Sequence, residues 1–167
     1  VNTGIAVGGG LGAVALGLGI LAYQIGRWKG GDPTPKIHFF MGVVLAALLF
    51  LGGGILGAMG GNAALLGQGI GKYALENATG ATVPGGKGGV PLTGGEKVAV
   101  SGAITGLVVL LFYAGMIKSG RRDLISPLVR GSLTGIWLGT SAGLIGMSMG
   151  LIRTSGNSIG QIFVSTM

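Results

Sequence analysis

Four apolar stretches dominate this chain of 167 residues, and the last carries Gly131, Gly135, Gly139 and Gly143 at an unbroken spacing of four. A helix needs about 20 largely apolar residues to cross a bilayer core, and each stretch is long enough. Small residues at every fourth position mark a helix face against which another backbone can lie. The chain is therefore expected to be all-α, an integral membrane protein of four transmembrane helices arranged as two hairpins joined by a long Gly-rich loop. The spans are expected at about 5–25, 37–59, 97–117 and 128–152, with the loop at 60–96, in a single membrane domain covering 1–167.

Charge and glycine content narrow the alternatives. Charged residues make up 9% of the chain and the mean hydropathy is +0.74, whereas a soluble domain is about one-quarter charged. A large water-soluble core is excluded. The 39 glycines are interspersed with Leu, Val, Ile and Ala and follow no Gly-X-Y period, which removes a collagen helix and argues against disorder. Cysteine is absent, so disulfides, thiolate metal sites and cysteine nucleophiles are excluded. The chain starts at Val1 with apolar sequence close behind, as expected after removal of a targeting segment.

The connectors set the orientation. The first span closes on Arg27-Trp28-Lys29, and Pro33 and Pro35 then stop the helix before Lys36 opens the second span. Lys118, Arg121, Arg122 and Arg130 surround the other short connector, against Asp123 alone. The positive-inside rule places both connectors on the cytoplasmic or stromal face, with the termini and the 60–96 loop on the opposite, lumenal side. Within that loop, 63–75 reads as a modest interfacial helix; 159–164 reads as one further helical turn. An echo at an offset of 90 pairs Tyr23 with Tyr113, Gly30 with Gly120 and Gly53 with Gly143. Duplication of a hairpin and coincidence in glycine-rich sequence both account for three matches.

The chemistry is sparse. No acidic residue lies at mid-span, which leaves no candidate for a proton relay built on a membrane carboxylate. No catalytic triad, paired carboxylate or metal cluster is present, so no enzyme and no small-molecule substrate is expected. His38 is the one histidine. A neutral imidazole at that depth can ligate the metal of a chlorophyll or haem from one side; the plainer role is a hydrogen bond to a connector carbonyl or water. Gly8 and Gly12, Gly53 and Gly57, Gly102 and Gly106, and Gly131, Gly135, Gly139 and Gly143 are the expected helix-packing positions, and a flat glycine face also admits a porphyrin or carotenoid. The net charge of +7, from 11 basic and 4 acidic residues, is concentrated at the membrane edges, where Arg27, Lys29, Lys36, Lys118, Arg121, Arg122 and Arg130 lie. Topology and anionic lipid account for it better than nucleic acid.

Two resemblances extend this reading. Ala22-Tyr23-Gln24-Ile25-Gly26-Arg27-Trp28, then His38-Phe39 with Gly42, Val44 and Leu45, then Gly52-Gly53-Gly54, resemble a domain-of-unknown-function family of four-helix membrane proteins of cyanobacteria and chloroplasts. Met116-Ile117-Lys118-Ser119-Gly120 is similar in layout. Where that family carries further histidines, this chain has Glu96-Lys97 and Val129-Arg130. The resemblance implies a thylakoid location, stromal basic turns, and a role as an accessory subunit of a photosystem-type assembly. It implies contact with other integral membrane subunits, structural lipid, and chlorophyll or carotenoid, with His38 as the chlorophyll ligand. Each hairpin also resembles the conjugative pilins, which implies a secreted filament assembled with phospholipid. A channel or carrier subunit is the third alternative.

Overall fold

The computed structural model describes residues 11–33, 35–51, 54–80, 82, 99–140 and 144–166, with positions 54, 55, 57 and 144–146 described by backbone alone. Among these every regular element is helical: α1 (Leu11–Lys29), α2 (Lys36–Leu45) continuing as a π-helical segment (Ala46–Phe50), α3 (Gly54–Thr79), α4 (Val100–Lys118), a 3₁₀ turn (Arg122–Leu124), α5 (Ile125–Gly139) and α6 (Leu144–Ser165). The expected packing positions Gly8, Gly53 and Gly143 lie outside the described residues. Gly57 is described only as part of α3.

α1 and α4 end in the same way. Gly31 and Gly120 adopt φ of +91° and +107°, a left-handed conformation that glycine takes without a Cβ penalty. After α1, the amide of Gly31 donates to the Trp28 carbonyl and that of Asp32 to Arg27. After α4, Gly120 donates to Ile117 and Arg121 to Met116. Both are Schellman caps, which satisfy the last carbonyls and turn the chain.

The two caps are 89 residues apart, and that offset recurs throughout the packing. A Cβ on Gly17 would sit 2.9 Å from Leu138, and one on Gly106 2.9 Å from Leu49. Gly67 lies against Trp137 and Gly156 against Leu48; Gly71 lies on the Gly12 backbone and Gly160 on that of Ser101. Adding 89 to each first-half residue gives its second-half counterpart, with the contacts exchanged. On the axis itself, Gly42 meets Gly131 and Ala46 meets Gly135. The fold is thus two copies of a three-helix unit related by a pseudo-two-fold axis, with α2 and α5 parallel and in register at the centre. Both basic turns lead into this parallel pair, so they lie at the same end of the bundle. The echo expected at 90 falls at 89: Tyr113 corresponds to Gln24, and Gly120 to Gly31. One residue rotates a helix face by about 100°, so only the 89 register superposes the glycine contacts.

Two expected spans divide. The second, expected at 37–59, ends at Phe50; α3 then starts at Gly54 and doubles back, placing Gly60 on the Phe50 backbone and Ala64 beside Ala46. The fourth, expected at 128–152, ends at Gly139, and α6 starts at Leu144. The expected 60–96 loop is helical as far as Thr79, and its stretch from 83 onward lies outside the described residues. Glycines that suggest a loop serve α3 as contact points against Phe50, Trp137 and Gly12. Among the described residues two helices, α1 and α4, are long and apolar enough to cross a membrane.

The π segment is one place where the copies differ in backbone. Leu51 donates to the Ala46 carbonyl five residues back, the widened turn of a π-bulge. Ala46, Ala47, Leu48 and Leu49 are all buried in succession. Burial on every side fits their position, because α3, α4, α5 and α6 all pack against this segment.

Candidate functional site

The site begins at the basic end. In the first turn Arg27 Nη2 lies 2.7 Å from Asp32 Oδ2; in the second, Arg121 donates through Nε and Nη2 to the two carboxylate oxygens of Asp123, at 3.1 and 3.2 Å. The Arg121 hydrogen bonds hold the Asp123 carboxyl below its ordinary pKa. One arginine per turn is thereby neutralised. Lys29, Lys36, Lys118 and Arg122 are exposed and enter no ion pair among the described residues. Lys36 Nζ instead lies 5.8 Å from the Trp28 ring centre, within cation–π range.

Polar side chains tie the halves together just inside this end. The Tyr113 hydroxyl of α4 and His38 Nδ1 of α2 are hydrogen-bonded at 2.9 Å, with the rings edge to face. Gln24, the counterpart of Tyr113, accepts from Arg130 Nη1 of α5 at 3.4 Å. The first helix of each half therefore grips the second helix of the other. The expected connector carbonyl or water at His38 is replaced by a side chain 75 positions away.

Between α2, α3, α4 and α5 lies an apolar cavity of about 400 Å³. Its wall includes Leu45, Tyr113, Leu128 and Ile136, all buried, and it opens past Met59, Ile125 and Val129, all exposed. The polar groups in the wall are already engaged: Tyr113 with His38, and the Ser132 hydroxyl donating to the Gly42 carbonyl. At three of the corresponding positions the other half is aromatic. Ile117, Leu128 and Val129 correspond to Trp28, Phe39 and Phe40, whose rings pack together at centroid separations of 5.4 to 5.9 Å.

The glycine positions separate by surroundings. Gly131 and Gly135 face α2 and the start of the π segment, and Gly139 faces the Leu51 side chain just beyond it. Gly12 lies on α3, Gly106 lies against Leu48 and Leu49, and Gly102 is buried. The ladder in α5 is thus taken up by this chain's own first half. Arg153, one residue beyond the expected fourth span, lies within α6 and is 3% exposed, where the first half has Ala64. No three metal-ligating side chains converge among the described residues.

No protein-family model, curated protein or solved structure matches the chain. The site therefore rests on its own geometry. Sequence reading missed the cavity because the signal for it, aliphatic residues standing opposite Trp28, Phe39 and Phe40, exists only in the 89 register.

Proposed function

We propose that the protein is a non-catalytic structural subunit of a larger membrane assembly, in which α1 and α4 cross the bilayer and the broken pairs α2–α3 and α5–α6 fill the space between them. One observation carries this reading. α1 and α4 are apolar enough to span, yet only 22% and 28% of the positions in their apolar windows are buried, and Leu18, Leu107, Leu111 and Phe112 are exposed. A water-soluble protein buries such helices, since exposed apolar patches of this extent are rare on soluble monomers.

The 15-residue α5, and α2 with its π segment, reach about 22 Å at 1.5 Å per residue, short of a hydrocarbon core of roughly 30 Å. Broken helices are tolerated at that depth where protein surrounds them, as it does the π segment. The basic turns would face the cytoplasm or stroma. Placement in a thylakoid assembly, and chlorophyll at His38, follow from the family resemblance. His38 fits that role in one respect: Tyr113 fixes Nδ1 and so orients the ring, leaving Nε2 as the ligating atom. A chlorophyll held there would supply light absorption.

Purification of the native protein from its membranes, with a subunit list and an absorption spectrum, tests the reading. Recovery with larger integral membrane subunits is expected, and pigment in the spectrum would support the photosynthetic assignment. Recovery from the soluble fraction, or in filaments sheared from the cell surface, would defeat the proposal.

A further inference from the structure

We propose that the cavity between α2, α3, α4 and α5 holds one acyl chain of an anionic phospholipid, with the headgroup on the basic turn at Lys118 and Arg122. The proposal rests on the membrane reading above and names a site within it. Three observations converge on this occupant.

The first is chemical. Tyr113 and Ser132 carry the polar groups of the wall, and both are satisfied inside the protein. A polar ligand would be left without partners, whereas hydrocarbon needs none. The volume of about 400 Å³ lies within the roughly 300–1,000 Å³ typical of ligand sites.

The second is the internal symmetry. At three positions corresponding to the cavity wall the first half carries rings, those of Trp28, Phe39 and Phe40, packed on one another. The other half substitutes Ile117, Leu128 and Val129, and a cavity lies beside them. At these three positions the fold accommodates rings in one copy and carries aliphatic side chains in the other.

The third is charge. Ile117 and Ile125 line the cavity and flank the turn that carries Lys118, Arg121, Arg122 and Asp123. Arg121 and Asp123 neutralise each other. Lys118 and Arg122 are exposed and outside any ion pair among the described residues, which leaves two positive charges at the end where an acyl chain would meet its phosphate.

Native mass spectrometry of the full chain, stripped in detergent and mixed with phosphatidylglycerol or phosphatidylcholine of matched chains, tests the site. One phosphatidylglycerol per chain should be retained, preferred by roughly fivefold for each basic residue engaged. Ile117→Trp with Val129→Phe copies the aromatic half into the cavity and should abolish retention of both lipids. Lys118→Gln with Arg122→Gln changes only exposed side chains, and should keep one lipid while losing the preference for phosphatidylglycerol. The proposal is overturned if the parent retains no phospholipid, if the filled variant retains as much as the parent, if removing both charges leaves the preference intact, or if the native extract yields pigment in place of phospholipid. A chain found in membranes with no bound lipid defeats this site alone; a chain found in the soluble fraction defeats the membrane reading as well.

Discussion

A methyl group added at Gly131 would meet the Phe39 carbonyl and the Gly42 backbone, whereas one added at Gly26 or Gly115 meets nothing within 4 Å. Backbone cannot yield as a side chain can, so Gly131→Leu should cost about 1–3 kcal/mol or more through overpacking. At Gly139 the neighbour is the end of the flexible Leu51 side chain, and Gly139→Leu should cost less. Gly26→Ala and Gly115→Ala should instead stabilise by about 0.5–1 kcal/mol, because alanine loses less backbone freedom in a helix. Unfolding each variant in micelles orders the series, and equal midpoints for Gly131→Leu and Gly26→Ala would show that α5 does not pack on α2. The spacing of four was legible in the sequence as a packing face. Its partner was not, since the same strip would serve a neighbouring subunit or a flat pigment equally well.

At the scale of the helices, hydropathy placed the C-terminal end of α1 and both ends of α4 within a few residues because nothing interrupts them. It merged α2 with the start of α3, and α5 with the start of α6, because the residues around each break, Gly52-Gly53-Gly54 and Ser141-Ala142-Gly143, are neither charged nor strongly polar. The reversal at Phe50 is made by tertiary packing, in which Gly60 takes up the Phe50 backbone and Trp137 Nε1 donates to the Ala63 carbonyl at 2.9 Å. The bond between Tyr113 and His38 has the same character, joining α4 to α2 across 75 positions. Tyr113→Phe removes its hydroxyl without changing the ring, and should destabilise by about 0.5–1.5 kcal/mol. In a bilayer the low end is expected, since bonds between membrane helices average about 0.6 kcal/mol. The His38 imidazole resonances should shift in the same variant. Unchanged His38 signals would place the two side chains apart.

Over the whole molecule, the pseudo-two-fold axis converts a charge pattern into a statement about sidedness. The repeat was visible in the sequence only as three coincidences in the wrong register, because glycine-rich segments match one another at many offsets. Contacts such as Gly67 with Trp137 and Gly156 with Leu48 select a single offset. Since α2 and α5 run parallel, the axis lies along the bundle and both basic turns lie at the same end of it, which for a bundle that spans a bilayer means one compartment; an inverted repeat would put them at opposite ends. The absence of native cysteine allows a clean test by single substitutions at the exposed positions Gly30, Ser119 and Val100. In sealed vesicles, Gly30→Cys and Ser119→Cys should react with a membrane-impermeant maleimide from one and the same side. Val100→Cys, at the opposite end of the 19-residue α4 from Lys118 and so about 27 Å away along the helix, should react only from the other. Labelling of Gly30→Cys and Ser119→Cys from opposite sides would reject the parallel arrangement, and labelling of all three from one side would reject α4 as a span.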